Sequence, residues 1–338
     1  MLKAEFPRNC WYVAAWSHEL DEGPLGRTIL GEPLVLWCDG QGHPVALADR
    51  CCHRGAPLSM GRCVDGRLQC MYHGLKFDQS GHCIEMPGQD QVPRKARVRA
   101  YPLVQRGQWL WVWMGEPERA READIPHTPW LDAERWPYRP GYYHYQAPAE
   151  LINDNLLDFS HLSYVHEGTL GGSEAIAGTR PQVTPLPHGL RIERRVEGVP
   201  PAPNITRFTS VRGTVNRWFS YDFLLPGVLL MEFCTEPTDG GEPLMQYTCQ
   251  AVTPETPHTA HYFFMGTRDF ALADPAVTEA IYEGLVTAFE EDRLIIEAQY
   301  RALREQGDFA PVATVADQAL IQFRRLVEQR VAEDSAKS

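Results

Sequence analysis

Two short segments early in the chain each offer one thiol and one imidazole. The first is Arg50-Cys51-Cys52-His53-Arg54-Gly55-Ala56-Pro57-Leu58. The second is Gln69-Cys70-Met71-Tyr72-His73-Gly74-Leu75, with sixteen residues between His53 and Cys70. Cys51-x-His53 and Cys70-x-x-His73 make a set of four soft-to-borderline donors that two loops closing face to face would hold around metal. Glycines at 55, 61, 74 and 81 let such loops turn tightly and point backbone N–H groups toward charged sulfur. A Cys2His2 set also suits structural zinc. Zinc ligands, however, usually arrive as a Cys pair and then a His pair, whereas here the two types alternate. Unliganded core thiols are the plainest reading of the same residues.

A second group lies in Glu150-Leu-Ile-Asn-Asp-Asn155-Leu-Leu-Asp158-Phe-Ser-His161-Leu-Ser-Tyr-Val-His166. Asp158 and His161, three apart, share a face of a helix. His161 and His166 are five apart, about 140° on an ideal helix, so both reach one metal only if the helix ends between them. Further on, Ile281, Leu285, Ala288, Ile296 and Gln299 all project within about 40° of Asp292, while Glu283, Glu290 and Glu297 project to the far side. Asp292 is therefore expected to be a carboxylate on an apolar stripe, its acidic neighbours solvated. A buried carboxylate needs a charged partner or a metal. An arginine would serve, and so would the iron of a site with two His and one carboxylate, which leaves positions open for O2.

The elements that must carry these residues fall into two groups. Pro33–Cys38, Pro44–Ala48, Arg67–Cys70 and Trp109–Trp113 read as short strands with Gly and Asp between them, a small all-β domain. Residues 116–140, rich in Pro and Trp, read as a connector. Beyond Gly141 a helical segment over 150–161 precedes candidate strands at 189–196, 218–225, 228–233 and 260–266. Gln246, Thr248 and Gln250 alternate with Met245, Tyr247, Cys249 and Ala251, the period of a strand with one wet face. A long final helix is bounded by Asp274 as N-cap, Pro275 at its first position and Gly307 at its end. Residues from Glu333 are expected to fray. Strands first and a long helix last make the second part α+β.

The length, 338 residues at 38.3 kDa, suits two domains and needs no disulfide framework. Nine cysteines, seven of them before residue 84, fit metal binding or packing in a reducing compartment. A net charge of −12 speaks against nucleic-acid and anionic-membrane partners. No apolar run approaches a membrane span, and residues 1–10 have no signal-peptide core, so a cytoplasmic protein is expected.

The alternation C-x-H then C-x-x-H resembles the Rieske [2Fe–2S] motif, in which two His replace two Cys on one iron. Further strings, Asn9-Cys-Trp-Tyr-Val-Ala-Ala-Trp16, Tyr72-His-Gly-Leu-Lys-Phe77, Asn155-Leu-Leu-Asp-Phe-Ser-His161 and Phe289-Glu-Glu-Asp292, extend the resemblance nearly end to end. The chain looks like the oxygenase component of a Rieske non-haem iron oxygenase, closest to the group of vanillate O-demethylase, dicamba O-demethylase and toluenesulfonate methyl-monooxygenase. The resemblance implies a Rieske domain over 1–118 and a helix-grip catalytic domain over 119–338. It implies that Cys51, His53, Cys70 and His73 hold the cluster, with Cys52 standing where the family often has proline. His161, His166 and Asp292 would match the ligands of mononuclear Fe(II). Asn155 would lie beside that iron, and Asp158 would join His161 to the His73 of a neighbouring subunit. A ring-shaped homotrimer, O2 as co-substrate and NAD(P)H acting through a separate flavin or iron–sulfur reductase complete the expectation. The implied reaction is O-demethylation or methyl hydroxylation of a small aromatic acid or sulfonate. N-demethylation or hydroxylation of a heterocyclic or alkylammonium compound is the alternative within the family. A Rieske electron carrier or a zinc-stapled binding protein would be the alternatives outside it.

Overall fold

The structure is a computed structural model that describes residues 6–171, 173–307 and 309–336. The chain divides into two compact units, Met1–His127 with Thr253–Pro257, and Thr128–Val252 with His258–Ser338.

The first unit contains eleven described strands: β1 (Trp11–Trp16), β2 (Leu25–Ile29), β3 (Glu32–Cys38), β4 (Pro44–Ala48), β5 (Arg62–Val64), β6 (Arg67–Gln69), β7 (Lys76–Phe77), β8 (Cys83–Glu85), β9 (Ala100–Tyr101), β10 (Leu103–Arg106) and β11 (Trp109–Trp113). They form three sheets, ordered β1-β11-β10, β2-β3-β4-β9 and β5-β6-β7-β8. Strand β3 shows why its sequence is continuously apolar. Its alternate residues serve two cores: Leu34 and Leu36 pack with Tyr12, Leu110 and Val112, while Val35 and Trp37 pack with Leu58, Leu68 and Phe77. The second of these cores also contains Cys51 and Cys70. The loops bearing them are thus anchored on a close-packed base.

The second unit is the expected α+β arrangement of a sheet and a long helix. Its elements are β12 (Gly141–Tyr145), α1 (Ala149–Leu157), α2 (Glu174–Gly178), β13 (Gln182–Leu186), β14 (Gly189–Val199), α3 (Pro203–Phe208), β15 (Val215–Leu224), β16 (Val228–Pro237), β17 (Leu244–Thr256), β18 (Thr259–Arg268), α4 (Pro275–Glu305) and α5 (Gln318–Ala336). Seven antiparallel strands run β12-β18-β17-β16-β15-β14-β13. Along β15 the inward residues Val215, Arg217, Phe219, Tyr221 and Phe223 alternate with partly exposed ones, the period-two pattern of a half-buried strand. Helix α4 starts as its sequence predicts: Asp274 accepts a hydrogen bond from the Ala276 N–H at 2.9 Å, and Pro275 follows. It ends before Gly307, whose φ of +71° suits glycine. Among the described residues no helix is long and apolar enough to cross a membrane.

Four expectations need correction. Gln299 is exposed rather than buried, and Glu297, expected in solvent, is buried. The covered arc of α4 is rotated toward Phe289, Ile296 and Tyr300, because α1 and β12 cover that flank in addition to β18. Glu297 is tolerated there because it pairs with Arg293 and accepts the Gln146 N–H at 2.9 Å. A further helix, α5, follows the long one; Ala319 and Phe323 bury on the sheet, with the Phe323 ring 4.6 Å from that of Phe223. It continues through Glu333 to Ala336, so fraying at 333 is not observed. On the supposed wet face of β17, Thr248 and Gln250 are buried and Gln246 is half-buried, for a reason that the cavity supplies.

Candidate metal centres

The two loops of the first unit share one main-chain frame. In each, the cysteine N–H donates to a carbonyl five residues on: Cys51 to Ala56 at 2.8 Å, Cys70 to Leu75 at 2.8 Å. In each, the glycine four residues on donates back to the cysteine carbonyl: Gly55 at 2.9 Å, Gly74 at 3.0 Å. That return needs a positive φ, and Gly55 and Gly74 stand at +75° and +76°. The frame sets both thiols inward, where Cys51 and Cys70 are buried in one core. Burial pushes the Cys51 thiol up to about 11, with Cys70 adding to the rise. A metal would reverse that preference by binding thiolate. The imidazoles of His53 and His73 face each other with ring centroids 4.6 Å apart at 67°. Burial, then the charges of His53 and Arg54, lowers the pKa of His73, keeping it the neutral ligand form. Two buried thiols opposite two facing imidazoles fit the donor set of a Rieske cluster. Cys52, beside Cys51, points outward and is exposed.

In the second unit His161, His166 and Asp292 come together, one atom from each lying within 4.8 Å of the others, an arrangement that could hold a metal ion. The local chain makes this possible. Helix α1 stops at Leu157, a 3₁₀ turn carries Phe159–Ser163, and the helical run has ended before His166. Nε2 of His166 is 3.2 Å from Oδ2 of Asp292, and Nε2 of His161 is 3.5 Å from Oδ1. The opposite nitrogens are occupied elsewhere. His161 Nδ1–H donates to the main-chain carbonyl of Asp158 at 2.6 Å, and His166 Nδ1–H to the Glu291 carboxylate at 2.7 Å. Both rings are therefore held with Nε2 toward Asp292, the orientation that metal-binding histidines require. Asn155 Nδ2 donates to Asp292 Oδ1 at 3.0 Å.

Asp158 sits differently from its expected role toward His161. Its carboxylate caps the 3₁₀ turn, accepting from the Ser160 N–H and hydroxyl at 2.9 Å each, while its carbonyl serves the histidine. Glu291 was not singled out in the sequence. It lies about 100° round the helix from Asp292, and Thr169 also donates to it, at 2.9 Å. Burial lowers the pKa of His161 despite the charge of Asp292. For His166, burial is again the largest influence and acts downward. Hydrogen bonds and charges of Asp292 and then Glu291 outweigh it and raise the pKa.

The triad opens onto a cavity of about 120 Å³. Its wall is formed by Leu156, Phe159 and Leu162 on one side, Phe219, Met231 and Phe233 from the sheet, and Ile281, Leu285 and Phe289 of α4. Gln246, Thr248 and Gln250 face this space. The polar alternation of β17 thus lines an internal cavity and not bulk water. His261 of β18 is buried outside the cavity, with its Nδ1 2.8 Å from the Tyr142 hydroxyl.

Comparison with known proteins identifies both domains. Residues 10–102 match the Rieske [2Fe-2S] domain, and residues 145–333 match the vanillate O-demethylase oxygenase C-terminal domain. The chain is 43% identical to the iron-sulfur subunit of the toluene-4-sulfonate monooxygenase system of Comamonas testosteroni, covering 96% of each protein. It is 33% identical to the oxygenase component of dicamba O-demethylase from Stenotrophomonas maltophilia, over 96% of this chain and 97% of that one. The crystal structure of dicamba monooxygenase with non-heme iron and dicamba superposes with a TM-score of 0.83 at 30% identity, covering 99% of this chain and 100% of that one. Carrying both domains in this order over nearly its whole length, the chain belongs to the Rieske non-haem iron oxygenases, as an oxygenase component of the monooxygenase and demethylase group.

Proposed function

We propose that this oxygenase component oxidises a methyl carbon of a small single-ring aromatic acid or sulfonate, by O-demethylation or methyl hydroxylation. The carrying observation is the cavity at His161, His166 and Asp292, walled by Phe219, Phe233 and Phe289. Its volume of about 120 Å³ is in the range of apolar protein cavities, about 150 Å³, that take up benzene. The protein carries a Rieske cluster and non-haem iron, and uses O2 and electrons from a separate reductase.

Cys51, His53, Cys70 and His73 are assigned to the cluster, within a functional division of 1–118 and 119–338. His161, His166 and Asp292 are assigned to iron(II). When bound, the cluster supplies stored electrons and the iron supplies dioxygen activation. The chain's own residues do the rest. The Asp158 carbonyl and Glu291 fix the two imidazoles, Asn155 steadies Asp292, and the aromatic wall holds the substrate ring and excludes water. An aryl methyl ether oxidised at its methyl carbon gives a hemiacetal that separates into phenol and formaldehyde.

The assembly is assigned as a ring-shaped homotrimer in which Asp158 meets the His73 of a neighbouring subunit. The Asp158 carboxylate accepts hydrogen bonds from Ser160 and lies within the field of Arg194, and Met71 and Tyr72 beside His73 are exposed, which supports a contact there. That none of the nine cysteines forms a disulfide among the described residues supports a reducing compartment, taken to be the cytoplasm. The test is O2 and NADH consumption with a compatible reductase on a panel of methoxy- and methyl-substituted benzoates and benzenesulfonates, with formaldehyde measured. Substrate-dependent consumption matched by product is expected. No coupled consumption with any member would sink the reading.

A further inference from the structure

Arg217, on the inner face of β15, is 2% exposed and lines the same cavity as the metal triad. Among the described residues no carboxylate pairs with it. Its terminal nitrogens donate to the carbonyls of Gly171 and Leu170, and it lies over the rings of Phe233 at 4.9 Å and Phe219 at 5.6 Å. These contacts use two of five N–H donors, and the buried Nε–H has no partner. Burial alone lowers its pKa to about 10, which leaves it a cation at neutral pH.

The rest of the wall sharpens the contrast. Tyr262 donates to Gln250 at 2.6 Å and Gln250 to Thr248 at 3.0 Å, so those polar groups answer one another. The Gln246 amide oxygen, by contrast, is buried without a partner, and rotation of that amide would present N–H donors instead. Arg268, equally buried and with its Nε–H likewise unpartnered, differs in place: it donates to Thr278 and to the carbonyls of Ala271 and Asp274, and it does not line the cavity. With Asp292 committed to the metal, Arg217 is the remaining fixed charge of the cavity wall.

We propose that Arg217 is the anion-recognising residue of the cavity, pairing with the carboxylate or sulfonate of the aromatic substrate and setting specificity for anionic rings. The assignment rests on the proposed oxygenase function and adds the residue that selects the substrate class. The competing role is purely structural, fastening the 169–171 segment that follows His166.

The experiment is calorimetric titration of the iron-loaded full-length protein, without O2 or reductase, using 4-methylbenzenesulfonate, 4-methylbenzoate and the neutral 4-methylbenzamide. The wild type is expected to bind both anions at least about tenfold more tightly than the amide, as a charge-assisted pair would give. Arg217→Met should weaken anion binding about 10- to 100-fold, with iron content and 4-methylbenzamide affinity within about twofold of wild type. Arg217→Lys should retain part of the preference. Unchanged anion affinity in Arg217→Met overturns the proposal, as does parallel loss of iron, amide and anion binding. Should Arg217→Met not fold, the wild-type arm decides alone: no preference for anions overturns the proposal. Oxidation of the neutral probe by an enzyme without that preference removes this role and leaves the oxygenase function standing. Anion binding with no oxidation of any probe, reductase supplied, does the reverse.

Discussion

Glu291 lies 2.7 Å from Nδ1 of His166, on the opposite edge of the ring from Asp292. Two adjacent residues of α4 thus address both nitrogens of one histidine. Glu291→Ala should free the ring and cost about 10- to 100-fold in iron affinity, with the Rieske spectrum unchanged. Iron retained after chelator dialysis measures this. His161→Ala or Asp292→Ala should remove mononuclear iron and turnover outright. Glu290→Ala, which loses a pair with Arg293, should leave iron in place. Iron binding that survived Asp292→Ala would refute the ligand set.

The raised pKa of His166 has a definite sign. In the metal-free protein its proton stabilises the fold fully below the ordinary value of 6.5, and that contribution is lost as pH rises through the higher folded value. Iron must displace the proton. Fe(II) affinity should therefore fall by up to about tenfold per pH unit as pH drops through the folded pKa of His166. Binding isotherms between pH 6 and 8 test this, and a flat profile would contradict it.

Asp158 invites two substitutions. Asn also caps helices well, so Asp158→Asn should keep both metals and the fold, while Asp158→Ala should cost about 1 kcal/mol in stability. If the carboxylate also bridges to a neighbouring subunit's His73, Asp158→Asn will slow reoxidation of the reduced cluster when substrate and O2 are added. Rapid-mixing absorbance reads that rate. An unchanged rate with full iron leaves only the cap.

Cys70→Ser and His73→Ala should each abolish the brown colour and the Rieske EPR signal. Cys52→Pro should keep both, since the Cys52 side chain points outward. A normal signal in Cys70→Ser would end the cluster assignment.

Gly266 lines the cavity on β18, and a Cβ there would fall 2.5 Å from Leu285 Cδ1 and 3.2 Å from Ile281 Cγ2. Gly266→Ala should turn the Leu285 side chain into the cavity, cost about 1 kcal/mol and weaken binding of single-ring ligands. Thermal unfolding and ligand titration would show both effects, and wild-type values in both would disprove the close approach.

The residues that meet in the second unit were legible because donor types at short spacing are a local signal. So were both ends of α4, where Asp274, Pro275 and Gly307 each act through their own backbone. What failed was information carried by neighbours. The burial of Glu297 and exposure of Gln299 depend on α1 and β12, which no helical projection contains. The polar stripe of β17 was read as solvent-facing because alternation cannot tell water outside from a cavity within. Asp158 does accept from His161, but through its carbonyl and not its carboxylate, an acceptor that every residue has and no side chain announces.

The paired loops at Cys51 and Cys70 have a consequence for how such a protein can change over time. Their geometry is held by backbone atoms and two glycines, so the identities of Cys52, Arg54, Met71 and Tyr72, all exposed, are not needed to keep the frame. Those four positions form an exposed rim around a seat that the main chain holds. Drift at the rim can change what the loop tips present to solvent without unmaking the main-chain frame beneath. The outer surface and the seating of the thiols are in this way separately adjustable, while Arg54 and Tyr72, whose charge and ring reach His73, couple the rim to the imidazoles.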